Sequence, residues 1–194
     1  MKKLILIIIF IPLVSFTQTT SQGDDLPFSE IGDYPNEFSQ SNIVSRMIEG
    51  LGYRYYWATK SLNENDLNYK PSDDSRTTFE VIKHIHELTI MISSSFENKI
   101  VDFPSEHYDY KSLREKTLLN LKYINDELKS SPDFSKLSIS FQREDSTMSF
   151  PFWNQINGPI SDALWHCGQV VMNRRASGNP LQKGVNVFIG KTSN

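Results

Sequence analysis

Three stretches of about twenty residues repeat their apolar side chains at steps of three and four, the period of a helix with one buried face. Ile43, Met47, Leu51, Tyr55 and Ala58 form the first stripe, with Ile48 and Trp57 alongside. Val81, Ile85, Leu88 and Ile92 form the second, extended by Ile82, Thr89 and Phe96. Leu113, Thr117, Asn120, Leu121, Ile124 and Leu128 form the third. A fourth helix is marked by its ends. Asn157-Gly158-Pro159 opens it and Gly178 with Pro180 stops it near Ala176 or Ser177. Helices with one apolar face bury that face against each other, so the pattern predicts an all-α four-helix bundle over residues 37–180.

The boundaries have local causes. Glu37 begins the first helix, and Leu62 with the polar run Asn63-Glu64-Asn65-Asp66 ends it. Thr77 or Thr78 caps the second, with Glu80 placed for a capping box. The third spans about Tyr110 to Lys129 and stops at Ser130-Ser131-Pro132-Asp133. Arg174 and Arg175 suit the negative end of the fourth helix dipole. Between 136 and 152 the period changes to alternation, at Leu137, Ile139 and Phe141 and again at Met148, Phe150 and Phe152. That fits either a short β-hairpin or an aromatic loop over one end of the bundle.

The two ends read differently from the middle. Lys2 and Lys3, an apolar run from Leu4 to Val14, and Ser15-Phe16-Thr17 before Gln18 make a signal-peptide pattern over residues 1–17. The apolar run is too short to span a bilayer comfortably, so no stable membrane insertion is expected after cleavage, and the expected location is periplasmic or secreted. Residues 18–36 are polar and rich in Ser, Asp, Gly and Pro, and read as a flexible, extended leader. Residues 181–194 read as a tail packing back on the bundle, with Val185 to Ile189 as its apolar run. The lone Cys167 can make no internal disulfide, so an exported chain of this kind depends on its core. The formal net charge is −3, and more negative by two without Lys2 and Lys3, which gives no electrostatic reason to bind nucleic acid.

The chemistry concentrates in Asp162-Ala163-Leu164-Trp165-His166-Cys167-Gly168-Gln169. Asp162 and His166 are four apart and share a helix face, which makes half of a metal site. His84, at the edge of the second helix's inward face, is the nearest candidate for the other half. Each also has a plainer reading. His84 suits a half-buried core histidine, and Asp162 suits a first-turn acid favoured by the helix N-terminus. His86 and Glu87 are read as surface residues, with support behind the ligands as the alternative, and His107 as solvated; Gln169 and Asn173 suit bonding either to ligands or to the bundle. Cys167 points about 100° from His166 on a helix and is read as packing rather than as a nucleophile. Tyr55, Tyr56, Trp57, Trp153 and Trp165 are read as core or pocket wall.

These residues resemble the DinB-like family of metal-binding helical bundles. The segment Thr77 to Ile85, with His84, resembles that family's second helix ending in a ligand histidine. His166-Cys167-Gly168-Gln169 resembles its His-Arg-Gly-Gln, and Arg174-Arg175 with Gly178 resembles its helix end. The similarity spans most of residues 40–180. It implies a divalent metal (zinc, nickel or iron) held by His84, Asp162 and His166. Asp162 stands where the family has histidine. Either the carboxylate substitutes as a ligand, or the site has lost its metal and Asp162 and His166 form a structural pair.

The functional expectation is therefore an exported metal-binding bundle. It would act as a metal-dependent hydrolase or thiol-transferase-like enzyme on an unknown small molecule, using an open coordination position. The alternative is a non-enzymatic binding or structural bundle without stable metal. Oligomeric state is left open, with a homodimer through an exposed helix face as one arrangement.

Overall fold

The computed structural model describes residues 25–193. The expected signal peptide lies outside the described residues. Among the described residues, no helix is long and apolar enough to cross a membrane. The chain is mostly helical, with one short antiparallel hairpin before its last long helix.

Helix α1 runs from Gln40 to Thr59, capped by the Ser39 side chain. A short helix α2, Glu64–Asn68, follows. The polar run expected to end α1 thus starts a new turn. Asn63 accepts from the Asn65 and Asp66 amides, while Asp66 accepts from the Asn63 amide at 2.8 Å. That reciprocal pairing satisfies donors that a helix start otherwise leaves open. Helix α3, Thr78–Phe96, begins at the expected Thr77–Glu80 capping box. Helix α4, Tyr110–Lys129, has the expected bounds.

Strands β1 (Ser138–Gln142) and β2 (Thr147–Pro151) pair antiparallel, with Ile139 opposite Phe150 and Phe141 opposite Met148. The choice left open by the alternation is thereby settled for the hairpin. Ile139 is its buried residue, while Met148 is 40% exposed. A turn of helix, α5 (Trp153–Gln155), leads through a wide π-turn at 156–160 into α6, Ser161–Ala176. Asn157-Gly158-Pro159 is thus a kink inside a longer helical run. Pro159 lacks an amide and would clash with the preceding turn, and Gly158 absorbs the break at φ −93°, ψ −112°. The Ser161 hydroxyl donates to the Ile156 carbonyl there at 2.6 Å. Helix α6 ends in a Schellman arrangement. The Asn179 amide donates to Arg174 O at 2.8 Å and the Gly178 amide to Arg175 O, with Gly178 at φ +95°.

Helices α1 and α3 each pack against both α4 and α6. Ile48, Leu51, Ile82, Ile85, Ile92, Leu118, Leu121, Ile124, Leu128, Ile160, Ala163 and Val170 are fully buried between them. Ile43 of the expected first stripe is instead half exposed, because the buried face of α1 is centred on Val44, Ile48, Leu51 and Tyr55.

The end of α1 shows how the packing is locked. No glycine caps it, and Lys60 turns off extended. The carbonyls of its last residues are met by side chains from two other helices. Arg114 of α4 donates to Tyr56 O, Arg174 of α6 donates to Trp57 O and Ala58 O at 3.0 Å each, and the Tyr110 hydroxyl donates to Thr59 O. Arg174 was read as complementing its own helix dipole. It is buried, and its guanidinium serves α1 instead. Asn179 accepts from Arg174 and donates to the buried carboxylate of Asp66 at 2.6 Å, which ties α2 into the same knot.

The flanking segments are packed as well. Ile31 is buried, Phe28 lies against Gly52 of α1, and Trp57 donates to Ser29 O at 3.0 Å. Within the described part of the expected leader, Leu26, Phe28 and Ile31 pack on the core, while residues 32–36 are exposed. The tail forms two short paired strands, β3 (Val185–Asn186) and β4 (Lys191–Thr192). It contacts the core through Tyr53, whose hydroxyl donates to Lys191 O at 2.7 Å. The expected apolar run is largely outside that contact, since Phe188 is 94% exposed.

Candidate metal centre

Helices α3 and α6 lie side by side, and the three expected site residues meet across their contact. His84 comes from the second turn of α3. Asp162 sits just after the kink at Pro159, and His166 follows one turn later on the same face of α6. His84 Nε2 lies 3.4 Å from one Asp162 oxygen, and His166 Nε2 lies 3.3 Å from the other. The imidazoles meet edge to face, with centroids 4.8 Å apart. One donor atom from each of the three residues falls within 4.8 Å of the others, so the group could hold a metal ion. All three side chains are partly buried. The Asp162 carboxylate faces the two imidazoles, although its position in the first turn also suits the helix dipole.

The outer nitrogen of each ring faces a side chain one turn along its helix. His166 Nδ1 lies 2.8 Å from Gln169 Oε1. An amide oxygen only accepts, so with the amide in this orientation the ring proton sits on Nδ1. His84 Nδ1 faces Glu87 Oε2 at 3.6 Å, beyond hydrogen-bond length, while its Nε2 reaches Asp162 at 3.4 Å. The His166 Nε2 lone pair is then directed at a carboxylate that also only accepts. Acceptors facing acceptors repel unless a cation or proton lies between them. Glu87, read as a surface residue with support of a ligand as the alternative, stands partly exposed beside His84. The signal was legible, since each histidine carries a carboxyl or amide acceptor three residues later, one turn along the same face.

His86 is a correction. It was expected on the surface, but is 5% exposed and makes a 3.1 Å contact from Nδ1 to Thr117 Oγ. Thr117 spends its own proton on Leu113 O, so His86 is the donor. Burial, with Lys116 nearby, pushes the His86 pKa from its ordinary 6.5 down to about 4. The folded protein thus resists a proton that the unfolded chain accepts. Its stability is fully present above pH 6.5 and falls as the pH drops toward 4. The expected loss is on the order of 3 kcal/mol, at about 1.4 kcal/mol for each pKa unit. Urea titrations across that range, with chelator present, check it. A His86→Leu variant should show a correspondingly flatter pH dependence, and an unchanged slope would refute this account.

Cys167 is buried, and burial pushes its thiol up to about 12, which suits packing and not nucleophilic attack. Tyr55, Tyr56 and Trp57 are core residues. Trp153 and Trp165 are 76% and 73% exposed, so neither belongs to the core. Trp165 instead lines, with His166, an open groove of about 710 Å³. His107 is exposed, as expected.

Comparison with protein-family models, curated proteins and solved structures finds no match.

Proposed function

We propose that this chain is an exported four-helix bundle of the DinB-like type that binds one divalent metal ion. His84, Asp162 and His166 are its protein ligands. The observation that carries the reading is the convergence of two imidazole Nε2 atoms and a carboxylate from α3 and α6. The donor set fits the group. Ligands about 2.0–2.1 Å from a tetrahedral ion lie about 3.3 Å from each other. Here one donor atom from each residue lies within 4.8 Å of the others, with His84 and His166 on different oxygens of Asp162, so binding one ion draws the three side chains together. Two imidazoles and a carboxylate suit zinc, and equally nickel or iron.

Three protein ligands leave a position for water or substrate, and a bound ion there would supply Lewis acidity for a hydrolase or thiol-transferase-like reaction. His84 and His166 present neutral Nε2. Glu87 and Gln169 fix the ring orientation from behind, as partners of metal-bound histidines do. Asp162 supplies the negative charge.

Elemental analysis of the purified protein tests the proposal, with about one ion per chain expected. Gln169→Leu should weaken zinc affinity by about 10- to 100-fold without unfolding the protein, because the amide is exposed and touches only the ring. Competition with a chromogenic chelator measures it. Wild-type protein with no stoichiometric metal, and no affinity for zinc, nickel or iron, would favour the non-enzymatic bundle.

A further inference from the structure

The groove beside the site has a chemical character of its own. On α6, Trp165, Gly168, Gln169 and Met172 follow at steps of three, one and three, a single helical face. That face looks outward: Trp165 and Met172 are 73% and 62% exposed. Opposite it stands the loop between α2 and α3, which contributes Arg76. His166 lines the same groove, so the space opens directly onto the candidate metal centre.

Two features distinguish this groove from ordinary surface. First, Arg76 makes no hydrogen bond or ion pair among the described residues. The nearby Glu80 carboxylate is itself bound to Thr77. The guanidinium fork is therefore free for a ligand. Second, Gly168 sits in the middle of a helix, where glycine is unfavourable. A Cβ there would meet nothing within 4 Å, so packing does not require the glycine. Its effect is to leave the floor of the groove open between Trp165 and Met172.

We infer that the groove binds a small anionic compound with an apolar, planar body. Arg76 receives its carboxylate or similar oxyanion. Trp165 and Met172 hold the apolar part across Gly168, and Gln169 and His166 border its other end. Guanidinium and carboxylate match as a two-pronged pair, and an exposed indole offers a flat apolar wall. The compound's orientation toward a metal rests on the reading of His84, Asp162 and His166 given above. The groove itself does not.

Calorimetric titration of zinc-treated and metal-free full-length protein with 1-naphthoate, and with uncharged 1-naphthalenemethanol, tests this. The expected result is that naphthoate binds one per chain, about tenfold more tightly than the alcohol. Arg76→Gln should erase that preference while leaving alcohol binding in place. Gly168→Leu should block both ligands, with a melting temperature no lower than wild type, since leucine favours the helix and meets open space. Equal affinity for the two probes, no binding of naphthoate, or naphthoate binding insensitive to both substitutions would overturn the inference. Arg76-dependent binding to a protein that takes up no metal would sink the metal reading alone. Metal uptake without Arg76-dependent binding would sink the groove alone.

Discussion

Zinc in excess will raise the melting temperature of this protein, and the Asp162→Ala, His166→Ala double variant will not respond. An ion that binds only the folded state stabilises it by about 4 kcal/mol when free metal exceeds the dissociation constant a thousandfold. For a chain of this length that corresponds to roughly 8–16 °C. The folded state supplies what the unfolded chain lacks, because His84 is far in sequence from the α6 pair and only the α3–α6 contact brings them together. Metal-free wild type and the double variant should melt within a few degrees of each other, since the partly exposed imidazole–carboxylate contacts contribute little alone. Thermal scans with zinc, with nickel and with chelator decide the matter. An unchanged wild-type midpoint in every metal, or an equal rise in the double variant, would count against His84, Asp162 and His166 as ligands.

Arg174→Ala will cost about 3–5 kcal/mol of folding stability, the largest effect expected from a single substitution at a site without metal. The guanidinium is buried and donates to Trp57 O, Ala58 O and the carbonyl and side chain of Asn179. Alanine leaves two α1 carbonyls without their donor in the interior and opens a void among three helices. Each buried carbonyl so orphaned costs about 1–3 kcal/mol. Arg174→Lys should recover only part of the loss, because one ammonium cannot span both ends of the fork. Urea unfolding followed by circular dichroism measures the difference. A loss below about 1 kcal/mol in the alanine variant would show that α1 does not depend on this cap.

The two predictions rest on features that differ in how far the sequence reveals them. The ligand candidates were legible. Asp162 and His166 are one helical turn apart, and His84 lies at the edge of an apolar stripe, so local periodicity alone puts each on an inward-facing edge. Glu87 and Gln169 were legible in spacing and left open in role, because a polar residue beside a stripe has no assigned partner until a neighbouring helix supplies one. His86 was misread for the related reason that its partner, Thr117, is on another helix. For Trp165 the reading offered core or pocket wall, and the outward face of α6 decides for the wall of an open groove.

Helix caps divide in the same way. Thr77 with Glu80, and Gly178 after Arg175, are short-range devices that act within a few residues, and both stand where their spacing put them. The cap on α1 is assembled from Tyr110, Arg114 and Arg174, which are some fifty to a hundred and twenty residues away. Nothing near Thr59 in the chain announces it.

By itself, then, the sequence determined the long helices, the hairpin's alternation and the candidate ligands, because each depends on residues within one or two turns of one another. Tertiary structure alone decided which helix end Arg174 would cap and which way the two imidazoles would turn. It also decided that Arg76 and Trp165 would share a groove with His166. Those outcomes depend on which surfaces the apolar stripes bring into contact, a property of the packed helices and not of any one of them.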